Sequence, residues 1–189
     1  MIGKKLEEMK TKRGQALSVR GPLDWVAVII ATGFGLGFAP VAPGTFGSLL
    51  GVVIFCFFGL RPGLFFQPHL FQNTILALVV VTALAGTWAA ARAERIFNRK
   101  DAGQIVIDEV CGQLITFMFV PVHLTRSLLV VSVLGFLLFR LFDIIKPYPA
   151  QRLEELDAGL GAMADDVMAG LYAALVLSFL LPLIAPWLR

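Results

Sequence analysis

The chain has 189 residues, 58% of them hydrophobic even with glycine left out, and only 15% charged, against about 25% charged in soluble domains. So few charged side chains cannot cover a soluble surface, which excludes an ordinary soluble enzyme, a disordered segment and a nucleic-acid-binding domain. The formal charge of +3 says less than where the charges stand, and the class that remains is an all-α, multi-spanning membrane protein.

Residues 1–20 hold six basic side chains, Lys4, Lys5, Lys10, Lys12, Arg13 and Arg20, against Glu7 and Glu8. Such a leader suits a cytoplasmic tail on anionic headgroups, and equally a solvated tail. A cleaved signal peptide is not expected, because the apolar run that follows breaks into Gly and Pro. The domains are therefore drawn as 1–23, a basic cytoplasmic leader, and 24–189, a single membrane-embedded unit.

Residues 24–44 start apolar but continue as Gly33-Phe34-Gly35-Leu36-Gly37-Phe38-Ala39-Pro40, which does not hold a regular helix well. The segment reads as interfacial or re-entrant, returning to the side it left. It runs into Pro43-Gly44-Thr45-Phe46-Gly47-Ser48, where a helix opens. Bare backbone at glycines and free N–H groups at a helix start bind anions, so Gly44, Thr45, Gly47 and Ser48 are candidate phosphate contacts. Gly47 and Gly51 would serve equally as a close helix-packing face.

Apolar runs then cover 46–60, 75–91, 105–122, 124–142 and 167–188. Read as five transmembrane helices with the N-terminus inside, they place 13 of the 16 basic residues in the cytoplasm, as the positive-inside rule requires. Counting 24–44 as a further span would send the basic 92–107 loop outside. All 13 acidic residues fall on the same cytoplasmic side, and both histidines, His69 and His123, on the other. Acidic residues barely influence topology, so their segregation points to a site at the cytoplasmic interface, although Glu154, Glu155 and Asp157 read as a solvated loop. Cys56 and Cys111 sit inside apolar runs without metal-ligand spacing and read as packing residues.

Carboxylates beside hydrocarbon are costly and tend to be functional. Asp108-Glu109 begins one run, Asp165-Asp166 precedes the last, and Asp143 ends the fourth. Helix N-terminal capping is the plain alternative for one member of each pair. It does not account for Asp143, which stands at a helix C-terminus and needs a cation: Arg140, Lys146 or a metal. Neighbouring helical residues point about 100° apart, so one member of each pair is expected to bind metal while the other orients water or takes a proton. With oxygen ligands and no soft donors, the candidates Asp108, Glu109, Asp165 and Asp166 suit Mg²⁺, or Mn²⁺ in its place. With Arg140 and Lys146 added, the pattern suggests phosphate chemistry at a membrane surface.

The sequence here resembles the bacterial phosphatidylglycerophosphatase A family. The matching pieces are Thr-Gly-Phe-Gly with Ala-Pro-Gly-Thr-Phe-Gly-Ser (32–48), Asp-x-Gly-x-Ile-Val-Ile-Asp-Glu-x-x-Gly (101–112), Phe-Arg-x-Phe-Asp-x-x-Lys-Pro-x-Pro (139–149) and Gly-x-Gly-x-Met-x-Asp-Asp-x-x-Ala-Gly (159–170). They stand in the family's order, and the leader 1–20 falls outside them. The resemblance implies an inner-membrane, Mg²⁺-dependent hydrolase of an anionic phospholipid. It would remove the terminal phosphate of phosphatidylglycerophosphate to give phosphatidylglycerol and inorganic phosphate. Asp143 is the candidate to orient or deprotonate the attacking water, with Asp108 as its catalytic companion; an aspartate nucleophile stays open. The rival reading is a small cation transporter using the interfacial carboxylates, against which stand their position at one interface and the lack of a repeat.

Overall fold

The computed structural model describes residues 19–61, 67–121, 127–153 and 159–187. The leader up to residue 18, His123, Glu154, Glu155 and Asp157 lie outside the described residues.

Among the described residues there are helices and turns and no strand: α1 (Pro22–Ala31), a 3₁₀ turn (Leu36–Phe38), α2 (Pro43–Gly59), α3 (Pro68–Phe97), α4 (Ile107–Thr116), α5 (Leu128–Ile145), the single turn α6 (Ala150–Leu153), and α7 (Leu160–Ile184). α1, α2 and α3 each begin on a proline, whose missing N–H is no loss at a helix start. α3, α5 and α7, with 30, 18 and 25 residues, are long and apolar enough to cross a membrane. α2, at 17 residues, extends back to Pro43 and so takes its length from the Gly/Pro-rich stretch, as its short apolar run requires.

The run 105–122 is not one helix. α4 spans ten residues, a rise of about 15 Å against a hydrocarbon core of about 30 Å. Nine of the ten are buried, so α4 is walled by protein, and backbone can leave the helix at membrane depth where protein surrounds it. Phe117, in the turn that follows, stacks on Phe55 with centroids 4.0 Å apart. A Cβ on Gly135 would collide with the Phe117 ring.

Glycines set how closely the other helices approach α4. A Cβ on Gly47 would stand 2.7 Å from the Val106 carbonyl, and one on Gly51 2.8 Å from Gln113 Cβ. Gly47 and Gly51 are thus the close-packing face of α2. From α7, a Cβ on Gly170 would collide with the Gly112 carbonyl. α2 and α5 run antiparallel: Arg140 Nη1 is 3.5 Å from Ser48 Oγ, and two turns deeper Cys56 Sγ is 3.2 Å from Ser132 Oγ. Cys56 and Cys111 are both free thiols within the packing between helices.

The 24–44 segment is not one regular helix, as its Gly/Pro content leads one to expect. α1 has ten residues, after which Gly33, Phe34 and Gly35 take positive φ and turn the chain. Val106 N–H donates to the Ala31 carbonyl at 2.8 Å, which ties the end of α1 to the start of α4. Trp25, Ile29, Phe34, Phe38 and Val41 remain exposed, an apolar surface suited to the membrane interface.

Candidate active site

At one end of the bundle the starts of α2, α4 and α7 meet the end of α5 around a cleft of about 240 Å³. Pro43 and Gly44 line it from α2, and Asp108 and Glu109 from α4. Arg140, Asp143 and Lys146 come from the end of α5, Ala162, Asp165 and Asp166 from α7, and Asp101, Gly103 and Ile105 from the loop before α4.

One carboxylate oxygen from each of Asp108, Glu109 and Asp166 lies within 4.8 Å of the other two. Asp108 and Asp166 are buried, and Glu109 Oε2 is buried with no hydrogen-bond partner among the described residues. Such an orphaned oxygen beside two further carboxylates is costly unless a cation joins them. The donor set, all oxygen, fits a hard divalent ion such as Mg²⁺. The expectation that only one member of each pair faces the metal position is not met at Asp108 and Glu109, whose carboxylate oxygens converge. The Asp108 carboxylate stays close to the backbone, its Oδ1 accepting the Glu109 N–H at 3.1 Å, while the longer Glu109 side chain reaches across to it.

Asp165 takes another role. Its Oδ2 accepts from Lys146 Nζ at 2.6 Å, and its Oδ1 accepts the Asp166 N–H at 3.1 Å. The pair also lies inside α7, in its second turn, and not ahead of it, because the helix already starts at Leu160 after a left-handed Gly159. Asp143 finds one of the cations its helix-end position calls for: Arg140 Nη1 meets its Oδ2 at 2.6 Å. Lys146 reaches Asp165 from a left-handed helix cap, φ 46°.

Of the four α2 candidates for phosphate binding, only Gly44 lines the cleft. A side chain there would collide with the Glu109 carboxylate and stand 3.3 Å from Arg140 Nη1, so glycine keeps the space between acid and guanidinium open. Gly47 is packed against α4. Ser48 is buried, donating to the Gly44 carbonyl at 3.0 Å and touching Arg140. Thr45 is half-buried and lies off the cleft lining. His69 is exposed at the start of α3 and takes no part in the cleft.

Two further residues belong to the neighbourhood. Asp101 lines the mouth with a left-handed backbone, φ 46°; its place at the head of the Asp-x-Gly motif was the signal for it. Gln113, one turn beyond Glu109, is fully buried with both amide atoms unpartnered among the described residues, and its spacing from Glu109 was the only signal available.

The family model described as phosphatidylglycerophosphatase A matches residues 29–181. A putative phosphatidylinositol-3-phosphatase of Bacteroides thetaiotaomicron is 39% identical over 165 residues, 87% of this chain and 96% of its own. Phosphatidylglycerophosphatase A of Haemophilus influenzae is 34% identical over 149 residues, 78% of this chain and 84% of its own. The Escherichia coli protein of the same name is 30% identical over 153 residues, 80% and 81% of the two chains. No solved structure matches significantly.

Proposed function

The chain belongs to the phosphatidylglycerophosphatase A family and is a phosphatase, and from that premise we propose that it hydrolyses the terminal phosphomonoester of phosphatidylglycerophosphate in a Mg²⁺-dependent reaction. The products are phosphatidylglycerol and inorganic phosphate. The observation that carries the reading is the charge of the cleft. Six carboxylates, Asp101, Asp108, Glu109, Asp143, Asp165 and Asp166, face two cations, Arg140 and Lys146. A phosphate dianion is repelled by such a lining unless divalent cations accompany it.

Asp108, Glu109 and Asp166 would hold that ion, with Asp165 supporting Asp166 through its backbone N–H and fixing Lys146. Bound there, a divalent ion lowers the pKa of water and stabilises charge on phosphoryl oxygens. Arg140, with Lys146 beside it, grips the phosphate from the α5 side, and the open N-terminus of α2 at Gly44 offers it backbone donors. Asp143, oriented by Arg140, positions the attacking water and accepts its proton. The water oxygen bonds to phosphorus as the phosphorus–oxygen bond to the glycerol breaks, and the leaving oxygen takes up a proton.

In this reading α2, α3, α4 with its following turn, α5 and α7 make five passes of a bacterial inner-membrane protein. The 24–44 segment and the cleft then lie on the cytoplasmic side, and 24–189 is one catalytic unit preceded by a basic leader. A thiol placed by Asn98→Cys, with Cys56 and Cys111 replaced, should then be labelled only from the cytoplasm. A second reading, hydrolysis of a phosphoinositide 3-phosphate, is favoured by the relative of that printed name, which is 39% identical. The cation-transporter reading is not favoured by these relatives. Purified protein should release phosphate from phosphatidylglycerophosphate with Mg²⁺ and not in EDTA. Faster release from phosphatidylinositol 3-phosphate would install the second reading, and release from neither would refute both.

A further inference from the structure

A second cleft, of about 360 Å³, opens where the start of α1 meets the last turns of α3. It is lined by Arg20, Asp24, Arg92, Arg95 and Ile96, none of which lines the catalytic cleft. Among the described residues three guanidinium groups here face a single carboxylate, the reverse of the balance in the first cleft. Asp24 is only 7% exposed and is fully engaged. Its Oδ2 accepts the Arg20 backbone N–H at 2.7 Å, and its Oδ1 accepts Arg92 Nε at 2.6 Å. Among the described residues Arg92 is therefore held by one nitrogen, and the terminal pair of its fork is placed to meet another anion. Arg95 lies back along its helix, Nε donating to the Ala91 carbonyl at 3.1 Å, and the Arg20 side chain stands exposed.

The depth of this cleft follows from packing. A Cβ on Gly159 would stand 2.6 Å from Ala91 N, so the start of α7, which lines the catalytic cleft, sits level with the turn of α3 that carries Arg92. Both clefts thus open at the same end of the bundle. Beside the arginines, Leu23, Trp25, Val26 and Ile29 of α1 and Trp88 of α3 are exposed. Exposed tryptophans mark headgroup depth in a membrane protein. A bias of basic residues toward one side accounts for positive charge there, but not for a buried carboxylate that fixes one guanidinium over a cavity.

We propose that this cleft is a second, non-catalytic site for the phosphodiester headgroup of an anionic phospholipid, whose acyl chains lie over the exposed apolar side chains of α1. The guanidinium fork matches phosphate oxygens in pairs, and the adjoining apolar face is what a soluble phosphate would not use. The inference holds whichever lipid phosphate is hydrolysed in the catalytic cleft.

The test uses the full chain in detergent, titrated with phosphatidylglycerol, with phosphatidylcholine or with inorganic phosphate, and bound lipid counted by native mass spectrometry. Arg20→Ala/Arg95→Ala should weaken phosphatidylglycerol binding roughly 30-fold, taking each basic side chain at its usual worth toward an anionic headgroup. Phosphate release from a short-chain, water-soluble substrate should stay unchanged in that variant. Arg20→Lys/Arg95→Lys, which keeps both charges, should recover most of the affinity, and its recovery excludes misfolding as the cause. Equal phosphatidylglycerol binding by wild type and the alanine variant would overturn the proposal. So would phosphatidylcholine binding as tightly as phosphatidylglycerol, or inorganic phosphate displacing the lipid at equal concentration.

Discussion

Gly170→Ala tests how the three clustered carboxylates are brought together, because Gly170 touches none of them. The added methyl would lie 3.0 Å from the Gly112 carbonyl carbon and 3.1 Å from its Cα, both backbone atoms of the buried α4. Carbon atoms rest at about 3.5–4.0 Å, so α7 must back away from α4 by roughly 0.5–1 Å. Asp166 stands one turn before Gly170 on the same face, and the retreat carries it away from Asp108 and Glu109. Overpacking of this kind costs about 1–3 kcal/mol, which three long apolar helices tolerate. A displacement near 1 Å at reacting groups costs on the order of 10²-fold in rate. The expected result is a folded variant whose turnover falls about 10²-fold and whose half-maximal Mg²⁺ concentration rises. Phosphate release against Mg²⁺ concentration measures both, with gel-filtration and thermal melting in detergent to establish folding. Gly21→Ala, where a Cβ meets nothing within 4 Å, is the control and should behave as wild type. Normal turnover and normal Mg²⁺ dependence in Gly170→Ala would refute the claim that this contact sets the carboxylate geometry.

Asp166→Asn should reduce phosphate release to background at ordinary Mg²⁺ and regain part of it at high Mg²⁺; unchanged metal dependence would remove Asp166 from the ligand set. Arg140→Ala should lower turnover about 10²-fold while leaving the melting temperature within a few degrees, a split in the range of losing one transition-state donor; a loss confined to unfolded protein would leave Arg140 as a structural partner of Asp143. The Asp24 carboxyl is held below its ordinary value of 3.8, first by the Arg20 backbone N–H and then by the Arg92 side chain. Its contribution to stability is therefore present above that value and lost as pH falls through the depressed one, so Asp24→Asn should lower the melting temperature at pH 7, with the difference shrinking below pH about 4. A single turnover with ¹⁸O-labelled enzyme carboxylates in ordinary water should release phosphate free of enzyme oxygen; label in the product would make an aspartate the nucleophile.

The parts of this site that the sequence announces are local ones. Asp108-Glu109, Asp165-Asp166 and the Arg140–Lys146 turn each declare themselves as charge beside an apolar run, and the structure brings all of them to one cleft. What was hidden depends on helix crossing. Nothing in the spacing links Asp24 to Arg92, 68 residues apart, since their meeting requires α1 to fold back beside the end of α3. The division of labour within the second acidic pair was equally hidden, because it depends on Lys146 turning from its left-handed cap toward Asp165. By hydropathy α4 reads as part of one long apolar run, because hydropathy does not distinguish a helix facing lipid from one walled by protein. The choice at Gly47, phosphate contact or packing face with Gly51, depends on what stands opposite: a carbonyl at Gly47 and Gln113 at Gly51.

The short central helix explains why the cleft sits where it does. A helix long enough to cross the bilayer would place its N-terminus in water, where paired carboxylates are solvated and attract cations weakly. α4 is buried along nearly its whole length, so Asp108 and Glu109 enter a protein-walled space in which their charge is poorly screened and a divalent ion is held more strongly. The same space must admit a phosphate, which the carboxylates repel. Helix geometry supplies the opposing term, since α2 and α4 both direct their N-terminal ends at the cleft, each equivalent to about half a positive charge. Arg140 sits between these two fields, within reach of Asp143 on its own helix and of Ser48 on α2. On the proposed reading a cation and an anion would find complementary partners in one small volume, and glycine at 44, 47, 51, 112 and 170 is what allows the helices to close to that distance.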